Sequence, residues 1–203
     1  MIPLIKLFKT NGAGFWLVLA LLAAVPARAQ RHIKGQLALT PVVGILDRVP
    51  TSLGKANGQG LAAGLDLTRY THKETYWKVS YLYDQKYYAN FGRFLTSSRH
   101  QLSFDWAPLT LHDHRRHVYI APIIGASVGY ELVNNNEETL PEGTIRNAPS
   151  VTGGIQAGIE GEYYVAERIA LVATFQTRYL PPSDVSVFRS YGLIGIRFSF
   201  FRN

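Results

Sequence analysis

VYIAPIIGASVGYEL, Val118–Leu132, is the stretch on which the fold turns. One set of alternate positions reads Val118, Ile120, Pro122, Ile124, Ala126, Val128, Tyr130 and Leu132. The other reads Tyr119, Ala121, Ile123, Gly125, Ser127, Gly129 and Glu131. Successive side chains of a strand point to opposite faces, so this alternation predicts a β-strand with one apolar face. Its length of about 15 residues far exceeds the five or six usual in soluble sheets. A tilted strand crosses a bilayer in about 9 to 11 residues and can project beyond it.

Outward from this strand the pattern repeats. Leu61, Ala63, Leu65 and Leu67 alternate with Ala62, Gly64, Asp66 and Thr68. Trp77, Val79, Tyr81 and Tyr83 alternate with Lys78, Ser80, Leu82 and Asp84, and Leu102, Phe104 and Trp106 with Gln101, Ser103 and Asp105. Ile155, Ala157, Ile159 and Tyr163 alternate with Thr152, Gly154, Gln156, Gly158, Glu160 and Glu162. Ile169, Leu171, Ala173 and Phe175 face away from Arg168, Ala170, Val172, Thr174, Gln176 and Arg178. Near the end, Ile194, Ile196, Phe198 and Phe200 alternate with Leu193, Gly195, Arg197 and Ser199. The first strand, roughly Lys34 to Ile45, is interrupted by Pro41, which needs a bulge or a non-bonded position.

Eight strands result. The spacers 46–59, 85–98 and 133–150 are long, 71–74, 112–116 and 164–167 are short, and 180–187 is intermediate. Long outer loops opposite short periplasmic turns are the pattern of a membrane barrel, and an even strand count returns the C-terminus to the side of the N-terminus. Tyr76, Trp77, Trp106, Tyr163, Phe198 and Phe200 fall near one set of strand ends. Tyr83, Tyr87, Tyr88, Tyr130, Tyr179 and Phe188 fall near the other, as two interfacial belts require. Lipid offers no hydrogen bonds to an open sheet edge, so the sheet must close. The expected fold is all-β: an eight-stranded antiparallel transmembrane β-barrel of the outer-membrane type.

The N-terminus carries Lys6 and Lys9, then the apolar run Phe15–Ala24, then Ala27-Arg28-Ala29. These are the parts of a secretory signal peptide over residues 1–29, leaving the barrel domain at 30–203. The formal charge of +7 falls to +4 when Lys6, Lys9 and Arg28 leave with it, which weakens a nucleic-acid reading based on charge. There is no cysteine, so disulfides, thiol catalysis and thiolate metal sites are excluded.

The inward faces carry Asp66, Lys78, Asp105, Glu131, Glu160, Glu162, Arg168, Arg178 and Arg197. In a narrow eight-stranded lumen these form a packed network of opposite charges, since unpaired ions there are costly. Glu160 and Glu162 also suit an acid–base pair, but the basic neighbours favour structural pairing. His112, His114 and His117, with Asp113, are metal-ligand types at ligand-like spacing, but they sit in a short charged turn with Arg115 and Arg116. Ser97, Ser98 and His100 are the residues a lipid-modifying barrel enzyme would need near the outer edge, with nothing to order them as nucleophile and base. No catalytic, metal or cofactor site is expected, and the chain reads as non-enzymatic.

The ordered segments GKANGQGLAAGLDLTRYT (Gly54–Thr71), YWKVSYLYDQKYY (Tyr76–Tyr88), APIIGASVGYELVNNNEETLPEGTIRN (Ala121–Asn147), GGIQAGIEGEYYVAERIALVA (Gly153–Ala173) and YGLIGIRFSF (Tyr191–Phe200) resemble the TraO family of conjugative transposon transfer proteins from Bacteroides-like bacteria. The resemblance implies an outer-membrane component of the conjugative DNA-transfer apparatus. It would contact outer-membrane lipid and other transfer proteins, anchoring or connecting them, without handling nucleic acid directly. A general outer-membrane barrel serving as adhesin, receptor or envelope stabiliser is the alternative.

Overall fold

The structure is a computed structural model that describes residues 32–47, 58–71, 75–90, 93–133, 139–140, 143–144, 150–181 and 187–200. The expected signal peptide, residues 1–29, and most of the 133–150 loop lie outside the described residues.

Eight long strands form the wall. They are β1 (Leu37–Leu46), β2 (Gly60–Tyr70), β3 (Tyr76–Asn90) and β4 (Arg93–Ala107), then β5 (Val118–Val133), β6 (Ser150–Tyr164), β7 (Ile169–Tyr179) and β8 (Phe188–Phe200). Each pairs antiparallel with its chain neighbours, and β1 pairs with β8, from Leu37 opposite Phe200 to Leu46 opposite Tyr191. The sheet is therefore a closed up-and-down barrel with no free lateral edge along the shared height of the wall. Both barrel termini lie at one end, with the connections 71–75, 108–117 and 165–168; this is the short-turn end.

Pro41 occupies a gap in the ladder. β1 pairs with β8 at Leu39 opposite Phe198, and pairing resumes at Val42 opposite Gly195 in the same register. The proline, which has no N–H to donate, sits where that bond is missing and needs no bulge. Pro122 lies just beyond Ile124, the last residue of β5 paired with β4 on that side.

Two spacers differ from expectation. Residues 85–98 are not a long loop: β3 and β4 stay paired out to Asn90 opposite Arg93, which leaves only 91–92 between them. Apolar alternation fades there because outward positions such as Gln85 are polar, while Lys86, Ser97 and Arg99 still face the lumen. The turn read at 112–116 is longer, because Leu111–His112 folds back to pair with Ile120 and Tyr119.

The barrel is apolar outside and polar inside. Among the described residues, buried polar side chains outnumber buried apolar ones, while Val43, Leu61, Leu102, Val128, Ile155, Phe175 and Ile194 are exposed on the wall. A soluble domain buries its apolar surface from water, so this inversion identifies lipid as the outer solvent. Glycines make room for the filling. A side chain at Gly125 would collide with the Asp105 carboxylate and the Phe104 carbonyl, and one at Gly158 with the Phe175 carbonyl. Both point inward, where strands curve closely around a narrow lumen.

Candidate functional site: a charged lumen and a basic rim

The lumen nearer the short-turn end is organised around Glu160 and Glu162 on β6. Arg197 of β8 lies between them, donating from Nη2 to Glu160 at 2.8 Å, from Nη1 to Glu162, and from Nε to Thr40 at 3.0 Å. Tyr76 donates to Glu160 at 2.7 Å, Thr174 of β7 to Glu160 at 3.3 Å, and Tyr70 to Glu162 at 3.2 Å. The Lys78 ammonium lies 2.6 Å from Glu160, 3.9 Å from Asp105 and 4.0 Å from Asp66. Gln156 donates to Asp105. Period-two strands put these groups on the inner face, and closure of the sheet brings them from around the ring to one cluster.

A second cluster lies toward the long-loop end. Asp84 accepts from Arg99 at 3.2 Å, Gln101 at 2.8 Å, Tyr191 at 2.9 Å and Arg189 at 2.9 Å. Arg189 also pairs with Glu131, which accepts from Ser97 at 2.9 Å. Arg178 is buried between the clusters with its guanidinium over the Tyr191 ring, 4.6 Å from the centroid. Lys86 meets Asp47 at 2.5 Å nearer the rim.

Asp66, Lys78, Asp105, Glu131, Glu160, Glu162, Arg178 and Arg197 all point inward and are buried. Arg168 does not. β7 begins at Ile169, so Arg168 belongs to the turn before it and is exposed. The parity of a strand does not extend one residue past its end. Tyr76, expected in an interfacial belt, is instead a buried lumenal ligand of Glu160.

Sequence reasoning set Asp84 on the inner face without naming it among the inward charges, and missed Lys86, Arg99, Arg189 and the inward ring of His32. Lys86 continues the parity of Lys78 and Asp84, and Arg99 that of Asp105, so alternation carried on through residues 85–99 would have found both. Arg189 lies eight residues before Arg197 on the same face. His32 carried no pattern signal. Its left-handed φ of 56° turns the chain so that the ring stacks on Tyr119 at 4.0 Å and reaches Glu162 at 3.2 Å, closing the short-turn mouth.

His112, His114 and His117 lie on the exposed 108–117 turn, and among the described residues no set of three such ligands converges on a metal-sized site. Asp113 instead organises the backbone. One oxygen accepts the N–H groups of Val118 at 2.9 Å and His117 at 2.6 Å, and the other that of Arg115 at 3.2 Å. The Val118 N–H, helped by those of His117 and Arg115, holds its carboxyl below the usual aspartate range. Ser97 is turned into the lumen toward Glu131, whereas His100 is exposed on the outer wall with Tyr81, 2.8 Å from Nδ1 to the hydroxyl. The two lie on opposite faces of β4.

A closed eight-stranded barrel with an apolar wall and an ion-paired lumen is a transmembrane barrel of the outer-membrane type. Residues 33–200 match the family model described as conjugative transposon protein TraO, and the chain belongs to that family. No curated protein matches it. Several solved structures share its fold. Ail, the attachment invasion locus protein of Yersinia pestis, solved with the heparin analogue sucrose octasulfate, is 12% identical, covering 83% of this chain and 100% of its own, with a TM-score of 0.52. Neisserial surface protein A is 16% identical over 82% of this chain and 98% of its own, TM-score 0.52. A major outer membrane protein from Thermus thermophilus is 12% identical over 81% and 99%, TM-score 0.53.

Proposed function

We propose that this chain is a non-enzymatic outer-membrane component of a conjugative DNA-transfer apparatus, which anchors or connects transfer proteins after export removes residues 1–29. Membership of the TraO family across the whole barrel carries the conjugative role. The apolar wall and the outer-membrane barrels that share the fold support the location. In that setting the short-turn end faces the periplasm.

An eight-stranded lumen is about wide enough for side chains alone, and this one is crossed by two ion-pair clusters, so a scaffold suits it better than a DNA conduit. Two segments are available for docking: the outer loop, about Val133–Ser150, with NNNEETLPEG, and the basic turn Leu111–His117. The test is deletion of the gene in a donor strain. Transfer frequency should fall sharply with growth unchanged, and the intact gene should restore it. Separate replacement of the two segments then shows which one docks a partner. Transfer at the parental rate after deletion would overturn the conjugative role and leave a general envelope barrel.

A further inference from the structure

Among the described residues, Lys78, Lys86, Arg99, Arg178, Arg189 and Arg197 are buried inside the lumen. At the short-turn end, Lys34, Arg69, Arg115, Arg116 and Arg168 are exposed. They are spread around the circumference: Lys34 just before β1, Arg69 at the end of β2, Arg115 and Arg116 between β4 and β5, and Arg168 between β6 and β7. Among the described residues this end also carries two half-buried acids, Asp113 and Glu167, so the exposed cations outnumber them five to two.

These cations lie beside the aromatic belt of this end. Arg69 is directly opposite Trp77 in the register, and Trp77 stacks on Trp106 with ring centroids 5.5 Å apart. The same turns expose apolar side chains: Leu109 is 46% exposed, Leu111 64% and Val165 46%. A turn wholly in water gains nothing from exposed leucines next to arginines. A turn at a bilayer surface sinks the apolar groups among acyl chains and leaves the cations at phosphate level.

We propose that this rim is a binding belt for anionic phospholipids of the periplasmic leaflet, with the cations on headgroup phosphates and Leu109, Leu111 and Val165 among the acyl chains. Phospholipid is favoured over an acidic protein because the cations encircle the barrel, whereas a docked protein needs one patch. The proposal rests on the outer-membrane reading but not on a role in conjugation, so transfer assays and lipid assays fail independently.

The test uses the tryptophans of the belt. In a Trp16→Phe background, Trp77 and Trp106 are the remaining tryptophans. The full chain is reconstituted in phosphatidylcholine bilayers containing brominated phosphatidylglycerol or brominated phosphatidylcholine, and quenching gives the relative lipid affinity at this rim. Phosphatidylglycerol should be preferred by roughly two- to fivefold, with the preference falling toward one in about 1 M salt. Combining Arg69→Gln, Arg115→Gln and Arg168→Gln should abolish it, and the same three changed to Lys should keep it, which separates charge from packing. Equal quenching by the two lipids overturns the proposal, as does an unchanged preference in the glutamine variant that still migrates as a folded barrel. Loss through Arg115→Gln alone would assign a single-turn patch and overturn the belt. Abolition by millimolar inorganic phosphate at constant ionic strength would assign a soluble anion instead.

Discussion

Glu160 shows what one residue contributes to this barrel. It accepts from Tyr76 and Lys78 on β3, Thr174 on β7 and Arg197 on β8. A carboxylate so buried is tolerable only because cations and hydroxyls replace its water, and removing one partner of a buried pair costs about 3–5 kcal/mol. Glu160→Gln and Arg197→Gln should therefore each destabilise the barrel by about that amount in denaturant titrations in lipid. The double variant should cost clearly less than the two together, because each single change strands the other ion. Strict additivity would show that the pair acts independently. Arg168 illustrates the limit of parity: one residue outside the strand, it obeys the turn.

At the scale of the element, β5 is the strand whose length and alternation announced a membrane wall. Its outer face carries Ile124, 49% exposed, and Ala126, opposite Ile155 on β6 and Phe104 on β4. Ile124→Arg places a guanidinium in the apolar band and should lower the stability of the inserted barrel by about 2–4 kcal/mol, the cost near the midplane. The control, Ile124→Val, keeps the face apolar and should change stability by less than about 1.5 kcal/mol. Folding titrations in bilayers measure both, and an Arg variant as stable as the parent would place this face away from acyl chains. The β3–β4 hairpin was legible up to Asp84 and not beyond it. Pairing to Asn90 and Arg93 depends on the partner strand, which periodicity within one segment does not report.

For the whole molecule, closure between β1 and β8 joins residues at opposite ends of the chain, Leu37 and Phe200 among them. A closed barrel resists detergent until heated, so the purified protein should migrate faster unheated than boiled and give a strand-rich circular dichroism spectrum. The ion-paired lumen should give little conductance in planar bilayers. A mainly helical spectrum with no shift on heating would refute the closed sheet, and a large steady conductance would show an open lumen.

The amino-acid sequence by itself determined the number of long strands, the face that most of their residues take and the solvent of each face. These follow from period two, a property of the local backbone that lipid outside and a polar lumen inside write into the side chains. It also placed Glu160, Glu162 and Arg197 on the inner surface. Only the tertiary structure decided which charges meet. Tyr70 reaches Glu162 across 92 residues and Arg189 reaches Asp84 across 105. Such pairings depend on strand register summed around a closed ring, and no local pattern encodes that sum. His32 is the extreme case: a residue outside every strand, seated among Tyr70, Tyr119 and Tyr164 only because closure brings their rings together.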